Sequence, residues 1–204
     1  MAGLLSNFRN TVIVSIILAL VIVAAYATGP QGSGPIFVQA VFRWLHVFFG
    51  ILWIGLLYYF NFVQIRKMPE IPAELKPAVS KFIAPEALFW FRWAALLTVI
   101  MGLAIAGSRG YLVQTLTFGR VGETDPTSMK QHMLLGLAMW LGIIMMLNVW
   151  GVIWPNQKRA LGIVEVDADT KAKATRVAML ASRVNMLLSI PMLTGMTMSQ
   201  TIFG

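Results

Sequence analysis

Five runs of apolar residues, at about 12–28, 36–63, 84–106, 128–154 and 177–203, set the terms on which this chain can fold. Each is long enough to cross a hydrocarbon layer of roughly 30 Å, which takes about 20 helical residues at a rise of about 1.5 Å each. Lipid offers no water to the backbone N–H and C=O groups, so a spanning segment must satisfy them within itself, and a helix does so. The composition agrees, with 58% hydrophobic and 12% charged residues and a mean hydropathy of +0.74. The expected fold is all-α, a polytopic integral membrane bundle of five transmembrane helices forming a single domain over residues 1–204. The connections are about twenty residues at most, too short for a separate soluble domain, so the chemistry belongs within the bilayer or at its faces.

Orientation follows from the basic residues, because cytoplasmic loops carry the excess of lysine and arginine. Arg9, the second connection (Arg66, Lys67, Lys76, Lys81) and the fourth (Lys158, Arg159, Lys171, Lys173, Arg176) hold ten of the sixteen. The first connection, TGPQGSGP at 28–35, has no charge, and the third sets Arg109, Arg120 and Lys130 against Glu123 and Asp125. The expectation is N-in, C-out in a bacterial inner (cytoplasmic) membrane, with the net charge of +8 reflecting topology and anionic lipid. A nucleic-acid footprint needs a basic soluble surface, which this pattern lacks. Arg9 before an apolar run ending Ala25, Tyr26, Ala27 imitates a secretory signal, but a start at Met1 favours an uncleaved first helix. With no cysteine in the 204 residues, disulfides, thiolate metal sites, covalent c-type haem attachment and cysteine-held iron–sulfur clusters are excluded from them.

Candidate chemistry rests on two histidines. His46 and His132 each lie near the outer start of an apolar run, on helices that both run inward, and each is followed four positions later by glycine, Gly50 and Gly136. Residues four apart share a helix face, so each glycine leaves a shallow bay beside an imidazole. A porphyrin must lie flat against the helix that supplies its ligand, and Phe42, Phe49, Trp53 and Trp140 provide an apolar aromatic lining. Arg43, three residues before His46, is placed to pair with a propionate. The expectation is haem b held by His46 and His132 as axial metal ligands, with Arg43, Gly50 and Gly136 completing the cofactor site. The plainer reading is that small residues pack membrane helices closely and an interfacial histidine bonds to its neighbour.

Other polar residues within the spans have simpler roles. Arg92 and Arg183, in the inner half, are expected to snorkel or to meet a carbonyl, phosphate or anionic group. Glu86, after Pro85, marks a first helical turn. Asn61, Asn148 and Asn185 are expected to bridge helices, and the thirteen methionines to pack adaptably. Paired carboxylates within one span, a phosphate-binding glycine loop, a nucleophile elbow and a HExxH zinc motif are all missing, which argues against hydrolytic and nucleotide chemistry. The third connection, with Tyr111 and Phe118, is placed to cover an outer cofactor mouth or to dock a partner.

Three stretches, RWLHVFFGILWIGLLYYF (43–60), NVWGVIWPNQK (148–158) and SRVNMLLSIPMLTGMTMS (182–199), resemble the membrane domain of bacterial membrane-integral urate oxidases, the urate oxidase N-terminal domain family. The likeness covers the last four helices; LHxxxGxxWxG is more distantly similar to membrane protoporphyrinogen oxidases and copper-resistance membrane proteins. It implies histidine at His46 and His132. Full-length family members add membrane helices and a C-terminal c-type cytochrome domain, absent from these 204 residues, and the family pattern places histidines close to Val184 and Gln200. The resemblance therefore implies a haem-b electron-transfer protein or a subunit of a larger redox complex, with other membrane subunits and a c-type cytochrome or quinone as partners. The alternative is a cofactor-free accessory subunit that stabilises or docks a respiratory or photosynthetic complex, and a third reading is a residual oxidase of a small purine or porphyrin.

Overall fold

A computed structural model describes residues 2–27 and 34–203. The uncharged first connection lies almost wholly outside the described residues. The chain divides into two compact units, Met1–Val41 and Phe42–Gly204. Among the described residues every regular element is helical, and five helical stretches are long and apolar enough to cross a membrane. The protein is therefore an all-α multi-pass membrane protein.

In the first unit, helix α1 (Phe8–Ala27) is apolar on all sides, and the part long enough to span has no buried residue. A short helix, Ala2–Leu5, precedes it, and the Thr11 hydroxyl donates back to the Leu4 carbonyl at 3.1 Å.

The second unit holds the bundle. Helix α2 (Pro35–Tyr58) runs into it and continues through a π-helical turn, Tyr59–Gln64. Helix α3 is Ala84–Ser108, the short α4 is Leu112–Leu116, α5 is Pro126–Asn148 and α6 is Ala168–Phe203. Two further π-helical turns, Val79–Ile83 and Val149–Ile153, stand just ahead of Pro85 and Pro155. Proline has no N–H for the preceding turn and its ring crowds the carbonyl four residues back, so the wider turn gives that carbonyl room.

Helical stretches extend beyond the hydropathy-based expectation at several ends, those of the fourth and fifth among them. Helix α6 begins at Ala168, nine residues before the expected 177, because Asp167 caps it: Oδ1 accepts from the Thr170 N–H at 2.9 Å and Oδ2 from the Thr170 hydroxyl at 2.6 Å. Its first turns are polar, and a search for apolar residues passes over them. The stretch from Pro126 continues past 154 as a helix over Trp154–Ala160 for the same reason. At its start, Pro126 occupies the first turn and Asp125 caps it by accepting from the Ser128 N–H at 2.7 Å.

Trp53, Leu57, Phe91, Ala95, Met145 and Val149 form the centre of the core, with α6 contributing Ala181 and Met192. A smaller cluster of Ala106, Leu135 and Met139 lies toward the third connection, under Tyr111 and Leu112. Gly195 lets α6 approach α5 closely, since a Cβ there would fall 2.8 Å from the Ala138 Cβ and 3.1 Å from the Leu134 carbonyl oxygen. Apolar contact does not distinguish a neighbouring helix from lipid, so polar bonds help to fix which faces meet. The three asparagines do this as expected. Asn61 Nδ2 donates to Ser182 Oγ at 3.0 Å, Asn148 Nδ2 donates to Asn185 Oδ1 at 2.7 Å and to the Ala181 carbonyl at 2.9 Å, and Asn185 Nδ2 donates to the Met145 carbonyl at 3.0 Å. Glu86 lies in the first turn of α3, where it accepts from the Trp90 indole N–H at 2.8 Å. Arg92 stacks its guanidinium on the Trp154 ring, 3.8 Å from the centroid, an aromatic partner the sequence reading did not name. Arg183 is exposed on α6.

Candidate functional site: a cavity beside His46

His46 leans from α2 onto α3. Its Nδ1 is 2.8 Å from the carbonyl oxygen of Thr98. A carbonyl only accepts, so Nδ1 carries the proton and Nε2 keeps its lone pair. Thr98 remains helical while facing His46, its hydroxyl donating to the Ala94 carbonyl at 2.7 Å. Gly102, one turn on, makes the notch in which the ring sits: a Cβ there would fall 2.9 Å from the His46 Cε1 and 3.0 Å from Nδ1. The imidazole is thus held along one edge by a hydrogen bond and a glycine, which fixes the direction of the other nitrogen.

His46 forms part of the wall of a cavity of about 490 Å³. This lies within the range of small-molecule and cofactor sites, about 300–1,000 Å³. Apolar residues of α2, α3, α5 and α6 make most of the wall, and Arg43, Thr98, Tyr111, Thr197 and Gln200 supply its polar points. Gly50 lines the cavity beside His46 as the sequence spacing predicts; a Cβ there would meet only the Thr98 methyl at 3.7 Å. Arg43, His46 and Gly50 are therefore brought together.

His132 and Gly136 are not part of this wall. His132 Nδ1 approaches Glu123 Oε2 at 2.9 Å, an ion-pair distance without the alignment of a good hydrogen bond. Its ring stacks on Tyr111, with centroids 6.0 Å apart and planes 28° from parallel. The bay expected beside His132 needs correction, because Gly136 faces the backbone of α4 and the space a Cβ would take is filled by the Thr115 carbonyl. Glycine serves helix packing there. The two HxxxG stretches are alike in sequence, but the histidine and glycine of the first line the cavity described above and those of the second do not.

The third connection contributes Tyr111 to the wall. Tyr111 lines the cavity and stacks with His132, and burial raises its phenol above the ordinary value, opposed by the positive charges of Arg109 and Arg43. Tyr111 is therefore a neutral hydroxyl at physiological pH. Trp140, expected to line the cofactor site, instead donates its indole N–H to the Leu116 carbonyl at 3.1 Å and holds α4 against α5.

Sequence reasoning missed Thr98, Gly102 and the methionines of the wall, Met139, Met192 and Met196. Nothing in the MGLAIAG stretch distinguishes Gly102 from an ordinary packing glycine. Gln200 lines the cavity, whereas Val184 is on an exposed face of α6. No family model matches the chain, and no curated protein or solved structure matches it either.

Proposed function

We propose that this is a membrane-integral electron-transfer protein, or the electron-transfer subunit of a larger redox complex, that binds haem b in the cavity beside His46. The observation that carries the reading is the bond from His46 Nδ1 to the Thr98 carbonyl. A histidine that ligates a metal usually donates its other ring N–H to a carbonyl or carboxylate, which fixes the tautomer and aims the ligating lone pair. Further support comes from the apolar wall, suited to a macrocycle, and from Arg43, a guanidinium suited to a propionate. When bound, haem b supplies one-electron chemistry between ferric and ferrous iron. The chain's residues hold the imidazole, exclude water and set the charge at the polar edge.

The fit is to one histidine. His132 is engaged by Glu123 and Tyr111 outside the cavity wall, so the reading rests on His46 as the imidazole ligand. The proposal includes the N-in, C-out orientation in a bacterial inner membrane and exchange of electrons with a c-type cytochrome or a quinone through partner subunits. A reduced-minus-oxidised optical spectrum of the purified chain tests it. A haem b band that disappears in His46→Ala supports the proposal; a chain that purifies folded and takes up no haem b overturns it and favours an accessory subunit without a cofactor.

A further inference from the structure

Resting on the haem reading above, we infer that the thioether of Met196 would be the second protein ligand to the iron and that His132 would not be one. The wall of the His46 cavity contains no second imidazole, but three methionines stand in it: Met139 from α5, and Met192 and Met196 one turn apart on α6. Thioether sulfur is a recognised partner of histidine at haem iron, and methionine's unbranched chain lets it reach a ligand position without a dedicated backbone geometry.

Depth in the bundle separates the three. His46 meets α3 at Thr98 and Gly102. Val99 packs against the larger core cluster and Leu103 against the smaller one toward the third connection, so the level of His46 is where these clusters meet. Met192 belongs to the larger cluster and Met139 to the smaller; Met196 packs against both. Met196 is therefore the methionine at the level of the imidazole. His132 is not part of the wall; its ring stacks with Tyr111 and its Nδ1 lies 2.9 Å from Glu123 Oε2.

The experiment uses the full chain in detergent or nanodiscs, loaded with haem b, and reads the ferric near-infrared spectrum and the midpoint potential. Thioether ligation gives a sulfur-to-iron charge-transfer band that a pair of imidazoles lacks, and it raises the potential. The expected result is this band in the unmodified chain, undiminished in His132→Ala and lost in Met196→Leu, with a lower potential and haem retained. Met196→His is the companion variant. It is expected to keep haem, lose the band and lower the potential, so a folding failure of one variant does not decide the question. Haem bound without a thioether band, a band that survives Met196→Leu but not Met192→Leu or Met139→Leu, or loss of ligation in His132→Ala would each overturn the inference while leaving haem binding intact. Failure of the unmodified chain to take up haem overturns the functional reading itself.

Discussion

At the scale of single residues, His46 and His132 have the same sequence surroundings and different fates. Each is followed four residues later by glycine, but the neighbour of Gly50 is a methyl group at ordinary contact distance, whereas the neighbour of Gly136 is the backbone of another helix. A glycine's use depends on what the fold brings to it. Gly102 is the sharper example, because it makes room for a side chain 56 positions earlier and has no mark in the sequence. Replacing Gly102 by alanine is expected to displace the imidazole from its notch, lower haem retention at least severalfold and shift the absorption of what remains bound. The helical content should be unchanged, as circular dichroism would register. Unaltered haem affinity and spectrum in Gly102→Ala would mean that the His46 edge contact does not aim the ring.

Among elements, α5 and α6 are joined by polar bonds as well as by apolar packing. Asn185 is fully buried and serves both helices, donating to the Met145 carbonyl and accepting from Asn148. Asn185→Leu leaves buried partners unpaired, and a cost of about 1–3 kcal/mol is expected, read as a lower melting temperature in detergent. A melting curve identical to that of the unmodified chain would show that Asn148 and the Met145 carbonyl find other partners. The cap of α5 carries a pH dependence. The Ser128 backbone N–H holds the Asp125 carboxyl below the usual aspartate range. A group whose pKa is depressed by folding stabilises the fold above its unfolded value, and that contribution is lost as pH falls through the depressed one. Acidification from neutral pH to below that depressed value is therefore expected to fray the start of α5 and expose the third connection to proteolysis. In Asp125→Asn, which keeps an accepting oxygen without the titration, cleavage at this end should change less with pH.

For the whole molecule, the distribution of lysine and arginine predicts which connections face the cytoplasm, and the cysteine-free sequence gives a direct test. Thr124 and Glu165 are both exposed, in the third and fourth connections. A cysteine at Thr124 is expected to react with a membrane-impermeant thiol reagent on intact cells, and one at Glu165 only after permeabilisation; the opposite pattern reverses the assigned orientation. The sequence by itself determined the all-α class and the five spans, because apolar length and obligatory backbone hydrogen bonding in lipid leave little else. It also identified Asn61, Asn148 and Asn185 as bridges, since a buried amide in a membrane needs a partner. Helix ends such as Ala168 were legible only through their caps. The cavity was not legible, because it is made where Thr98 and Gly102 of α3 meet His46 of α2, with Met139 of α5 and Met196 of α6 lining the same space. Periodicity tells which residues share one helix face, but not which face of another helix will lie against it. Only the tertiary structure decided that His46 opens on a cavity while His132 is held between Glu123 and Tyr111, because that depends on which backbone comes within contact of each glycine.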